Sequence, residues 1–89
     1  MKYRFKSENH RQNFIKELFD ELNSDEINKT ATQRAVDIVD NLPVDEWFDV
    51  EMDLSGDIYS INGNSMLDIG ESYVIMFSDE ITDYLETVQ

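Results

Sequence analysis

The last 55 residues of this chain, Ala35 to Gln89, contain fourteen aspartates and glutamates and no lysine, arginine or histidine. All seven Lys/Arg residues lie in the first 34 positions, beside six acids. The first segment is therefore near neutral at +1, and the second accounts for the rest of the net charge of −13. Carboxylates held close in a compact state repel one another, so a one-sign field of this size works against folding. Two readings account for it. One is a surface shaped to meet a positively charged partner. The other is a domain that uses acid for solubility.

Eighty-nine residues make a single domain. A chain of this size buries about 60–65% of its unfolded surface, which predicts modest stability. Apolar residues make up 40% and include five Phe, four Tyr and one Trp, enough to form a core and to exclude a disordered chain. There is no cysteine, which excludes a disulfide frame, thiolate chemistry and a cysteine-based zinc site. No apolar run approaches the ~18 residues that would span a bilayer. The start, Met1-Lys2-Tyr3-Arg4-Phe5-Lys6, is basic without a following apolar run, unlike a signal peptide. These features predict a soluble cytoplasmic protein. The net charge disfavours direct binding to nucleic-acid phosphates and to anionic membranes.

The apolar spacing predicts α+β organisation. Ser7 is placed to cap a first helix, with Phe14, Ile15, Leu18, Phe19 and Leu22 at helical spacing. Ser24 is placed to cap a second, with Ile27, Ala31, Ala35, Ile38 and Leu42 on one stripe. The Thr30/Gln33 capping-box pair offers a later start, and Pro43 ends the helix. The period then changes from 3.6 to 2. Phe48, Val50, Met52 and Leu54 alternate with Asp49, Glu51 and Asp53, as in a strand with one wet face. Ser55-Gly56 predicts a turn into Ile58–Ile61, and Asn62-Gly63 a second turn. Residues 64–71 fit a loop, a helical turn or a short strand. The wholly apolar run Tyr73–Phe77 predicts a central strand, and Ser78 a cap for a last helix with Ile81, Tyr84, Leu85 and Val88 inward. The expected architecture is two N-terminal helices, a three-stranded antiparallel meander and one C-terminal helix, with the helices on one side of the sheet. Phe14, Phe19 and Phe77 are expected in the core.

Catalytic and metal-binding chemistry finds little support. His10, the single histidine, stands near the start of a polar helix with no Ser/Asp partner pattern around it. A metal-dependent nuclease could use the acids, but the base that stabilises phosphoryl charge would have to come from the N-terminal helices, because none follows Arg34. No glycine-rich phosphate loop is present. An EF-hand loop begun at Asp53 finds Ser55 and Asp57 as oxygen ligands, but Ile58 at the glycine position and Ser65 at the bidentate glutamate. No cofactor or metal is expected.

The acidic surface is the remaining signal. Asp49, Glu51 and Asp53 at i, i+2 and i+4 would stand about 6.5–7 Å apart on one strand face. That is close to the separation of successive phosphates on a DNA strand, on the order of 6–7 Å. Asp57 joins them across the first turn. Asp79, Asp83 and Glu86 share one face of the predicted last helix. Asp79 and Asp83 repel at i,i+4, while Asp40 and Glu86 oppose the negative C-terminal ends of their helices. Such conflicts, each worth some tenths of a kcal/mol, belong to functional surfaces when nothing compensates them. Trp47, phased outward with Asp49, and Tyr59 are candidate aromatic anchors in an acidic rim. The bland alternative packs Trp47 under a helix edge.

In length, charge and acid-lined elements such as Asp49-Val50-Glu51-Met52-Asp53, the chain resembles the small acidic proteins by which phages and mobile elements block nucleic-acid-processing enzymes. These include DNA-mimic anti-restriction proteins, uracil-DNA glycosylase inhibitors and anti-CRISPR proteins. It also resembles nuclease inhibitors of the barstar and colicin-immunity type. Those proteins have unrelated folds, so the resemblance carries over no fold and no residue role. It implies a non-catalytic inhibitor in the host cytoplasm, with a basic nucleic-acid-binding protein or nuclease as partner. The rival expectation is a homodimeric interaction module, joined through the apolar stripe Phe14, Leu18 and Leu22 of the first helix.

Overall fold

The computed structural model describes residues 2–22, 29–43, 45–70 and 73–87. In chain order these form β1 (Lys2–Phe5), α1 (Glu8–Leu22), α2 (Lys29–Asp40), β2 (Phe48–Met52), β3 (Ile58–Ile61), β4 (Asn64–Ser65), α3 (Ser78–Tyr84) and β5 (Leu85–Thr87). The strands make one antiparallel sheet in the order β4-β3-β2-β1-β5. The α+β class and the three helices match the expectation. The three-stranded meander does not, because the sheet has five strands.

The count differs because β1 and β5 are added at the two ends of the chain, residues 64–65 form β4, and the strand expected at 73–77 does not form. Lys2-Tyr3-Arg4-Phe5 alternates polar and apolar, and Tyr3 and Phe5 are buried. It lies between β2 and β5, pairing Tyr3 with Phe48 and Phe5 with Leu85. Leu85 was expected to continue the last helix. Its backbone instead turns extended (φ −115°, ψ 157°) while its N–H still reaches the Ile81 carbonyl, and the chain leaves as β5. Val88 and the proposed cap Ser24, with Ile27, lie outside the described residues.

Ser7 caps α1 as expected, its hydroxyl accepting the His10 backbone N–H at 3.2 Å. In α2, Ala31, Ala35 and Ile38 form one buried row and Thr32, Val36 and Val39 a second, a wide stripe that packs on α1 and into the common core. Phe5, Phe14 and Phe48 meet between α1 and the sheet, with ring centroids 6.3 and 6.0 Å apart around Phe5. Tyr84 of α3 closes on Phe14 at 5.1 Å. Burying each such side chain contributes about 1.5–3 kcal/mol, against about 0–1 kcal/mol for an exposed ion pair, so this cluster sets the fold.

Two of the three phenylalanines expected in the core depart from it. Phe14 is buried, but Phe19 is 47% and Phe77 54% exposed. Tyr73–Phe77 is not a central strand either. The outer edge of β3 is shared with β4 over Ser60 and Ile61, which leaves one place beyond β4, and Met76 takes it as a single bridge to Ile58. Residues 64–70 are β4 followed by a tight turn in which Ile69 and Gly70 both donate to the Met66 carbonyl. Asn62 (φ 51°) and Gly63 (φ 84°) both lie in the left-handed region, the geometry expected of a two-residue hairpin turn. Among the described residues no helix is long and apolar enough to cross a membrane.

Candidate functional site

β1 carries the N-terminal bases into the sheet between β2 and β5, and this decides where the acids stand. On the face away from the helices, Lys2 Nζ lies 3.2 Å from Asp49 Oδ2. Arg4 Nε lies 2.6 Å from Glu86 Oε1. The Arg4 guanidinium also sits 4.4 Å from the Trp47 ring centroid. Trp47 does face outward, as phased, but the chain's own arginine covers it. Tyr59 donates its hydroxyl to Glu51 Oε2 at 3.0 Å. That bond, to an acceptor that is itself charged, raises the Tyr59 pKa.

Two of the conflicts read from the sequence are compensated here. Glu86 belongs to β5, not to the last helix, and has Arg4. Asp40 has Arg11 within 3.8 Å, and the same guanidinium donates to the Asp40 carbonyl at 3.0 Å and the Val39 carbonyl at 3.4 Å, closing the end of α2. Arg11 also forks onto Glu8, which lowers the Glu8 pKa. Arg34 forks onto Asp68 at 3.0 Å through both terminal nitrogens, and the Asp68 pKa is lowered by that bond. Lys6 Nζ donates to the Thr82 carbonyl at the end of α3. Five of the seven bases thus reach into the acidic half.

A different arrangement holds at the end of the molecule formed by the β2–β3 turn and the start of α3. Asp53 was expected on the strand face with Asp49 and Glu51. A register shift at Glu51/Met52 ends the strand before it, and Asp53 builds the turn. Its carboxylate accepts the N–H of Ser55 at 2.9 Å and of Asp57 at 3.1 Å. Its carbonyl accepts from Gly56, whose φ of +83° suits glycine. Asp57 Oδ1 in turn accepts the N–H of Ser78 at 2.8 Å. Ser78 is the first helical residue rather than the cap. Phe77 is the N-cap, and Glu80 reaches back to its N–H at 3.0 Å.

The Asp57–Ser78 bond brings the acids of the first hairpin beside those of the last helix, 21 residues on. Asp53, Asp57, Asp79 and Asp83 have no ion pair with a base among the described residues. Two large apolar side chains stand at the same end. Leu54 projects from the turn, fully exposed, and Phe77 is half exposed. The sequence reading missed both. It continued the strand alternation through Leu54 and took Phe77 for core. The available signal was Leu54 itself, a leucine within Asp-Leu-Ser-Gly-Asp with no buried position to fill.

Other expected sites are placed differently. Of the α1 stripe offered as a dimer contact, Phe14 and Leu18 are in the core, 1% and 7% exposed, and the side chain of Leu22 lies outside the described set. His10 does have a serine partner. Ser7 Oγ lies 2.6 Å from Nδ1, within the helix cap itself. A shallow groove beside α2 is lined by Asp37, Asn41, Asn62 and Asn64 and by Arg34, whose guanidinium is occupied by Asp68. Among the described residues no three His, Asp or Glu side chains converge as a metal site. No protein-family model matches this chain, and no curated protein and no solved structure matches it.

Proposed function

We propose that this is a non-catalytic acidic binding protein, a DNA-mimic-type inhibitor that occupies the basic nucleic-acid groove of an enzyme or DNA-binding protein. A phage or mobile-element accessory protein acting in the host cytoplasm is the type. The observation that carries the reading is the joining of Asp53 and Asp57 to the α3 acids through the Asp57–Ser78 hydrogen bond, with no base of the described chain paired to them. Asp79 and Asp83 lie one turn apart on α3 and stay unpaired although they repel. Asp49, Glu51 and Glu86 act from the open sheet face. There a partner's bases would compete with Lys2, Arg4 and the Tyr59 hydroxyl. A net charge of −13 steers a cationic partner toward the whole molecule and speeds encounter.

The test is capture at low salt. The immobilised protein is exposed to bacterial lysate and eluted with duplex DNA, then with a salt step. A discrete nucleic-acid-binding protein in the DNA eluate, with affinity that falls steeply as salt rises, supports mimicry. Affinity that is flat between about 50 and 500 mM salt overturns it. So does recovery of nothing, or of material that resists both DNA and salt.

A further inference from the structure

We infer that Leu54 and Phe77 are the apolar anchor of the acidic end, and that they seat in an apolar pocket bordered by lysine and arginine on a protein partner. This rests on the acidic-binding reading above and adds that charge alone does not make the contact.

Several observations lead to it. Leu54 is completely exposed, and Phe77 is exposed over more than half its surface. Scattered apolar residues are ordinary on a surface, but these two come from segments fastened side by side. Ile58 N–H donates to the Met76 carbonyl at 2.9 Å, and Asp57 accepts from Ser78. A Cβ placed on Gly56 would stand 3.6 Å from the Ser78 Cβ. The support under Leu54 is rigid. Within Asp53–Asp57, the Asp53 carboxylate holds two amides, its carbonyl holds Gly56, and its N–H reaches the Asp57 carbonyl at 3.0 Å. A leucine held out on so fixed a turn loses little further backbone freedom on binding, part of what makes an anchor preorganised.

The surrounding charge selects the occupant. Asp53, Asp57 and Asp79 flank the two side chains in sequence and are unpaired by the described bases. A second copy would bring the same acids face to face. Nucleic acid and anionic lipid are repelled in the same way. A protein pocket ringed by bases matches both the apolar centre and the anionic rim.

Two synthetic peptides of equal length and equal lysine content test this. In one the lysines alternate with leucine and tryptophan, in the other with glycine and serine. Binding to the full chain is followed at low salt through backbone amide shifts. The expected result is that the apolar peptide binds about tenfold tighter, with shifts centred on residues 53–57 and 77–79. Leu54→Ser, a change at a fully exposed side chain, should remove that advantage and leave the binding of the glycine/serine peptide unaffected. Equal binding of the two peptides overturns the anchor while the charge reading stands. An advantage that survives in Leu54→Ser, or self-association that Leu54→Ser abolishes, also overturns it. Failure of both peptides to bind overturns the acidic-binding reading itself.

Discussion

The open face around β1 and the end built from the β2–β3 turn and α3 hold acids from the same base-free stretch of sequence, yet they treat them oppositely. On the open face the antiparallel register sets Lys2 opposite Asp49 and Arg4 opposite Glu86, so bases from the first four residues meet acids 47 and 82 positions away. At the other end Lys6 reaches the Thr82 carbonyl, but no base among the described residues pairs with Asp53, Asp57, Asp79 or Asp83. Asp53 and Asp57 satisfy backbone amides, and Asp79 and Asp83 face solvent. Charge segregated along a chain is therefore not charge segregated in space. Topology mixes it where a base-bearing strand or helix meets an acid and leaves it separate elsewhere.

The sharpest way to break the comparison is to remove the strand that does the mixing. Phe5 is 3% exposed and fixes β1 between Phe14 and Phe48. Phe5→Ala should cost about 3–5 kcal/mol, read as a fall in the urea midpoint. For a small domain that is much of the total stability. Protection of the Glu86 and Thr87 amides from hydrogen exchange should fall with it, because β5 pairs with β1. A loss under about 1 kcal/mol would mean that β1 is an appendage rather than an integral interior strand of the sheet.

An intermediate effect is expected where the two acidic segments join. Asp57→Ala removes the acceptor of the Ser78 N–H and should cost about 1 kcal/mol, the ordinary value for losing a helix-start acceptor. Asp57→Asn keeps an acceptor oxygen and should cost a few tenths. Faster exchange of the Ser78 amide in the alanine variant alone would place the effect at this bond. Equal costs in the two variants would show that the carboxylate acts through charge instead.

What could be read from the sequence follows the same division. α1, α2, β2 and the Asn62-Gly63 turn were legible because each rests on local chemistry: a capping serine, an apolar period, a turn pair with positive φ. β1 and β5 were not. Lys2-Tyr3-Arg4-Phe5 is one period-2 tetrad, too short to stand out from a basic terminus, and its partners lie more than forty residues away. Leu85 fits a helical stripe as well as a strand, and pairing with Phe5 decides between them. The sequence spacing marks Asp49, Glu51, Asp53, Asp57, Asp79, Asp83 and Glu86 as candidate surface acids. Their division into paired and unpaired sets depends on Lys2, Arg4 and Tyr59 and on the Ser55, Asp57 and Ser78 amides, which no spacing rule links to them.

The smallest effect carries the sign of the comparison. Asp68 is a paired acid, and the Arg34 guanidinium holds its carboxyl below the ordinary carboxylate range. A folded-state pKa below the unfolded one means that the folded chain binds that proton less readily. The pair therefore contributes stability above the unfolded carboxylate pKa, about 4, and the contribution fades as pH falls through the depressed folded value. Asp68→Asn should destabilise at pH 7, and its difference from the parent should close on acidification. Asp83, in the last turn of α3 and one turn beyond Asp79, has no ion pair among the described residues. Asp83→Asn removes a like-charge repulsion and an unfavourable charge at the negative helix end, and should stabilise by a few tenths of a kcal/mol. Opposite signs for two acid-to-amide changes in one molecule would establish that the base-free stretch holds acids that serve the fold and acids held against it. A loss of stability in Asp83→Asn would instead mean that the α3 acids are structural, and would leave the partner-binding reading without the cost that a retained repulsion implies.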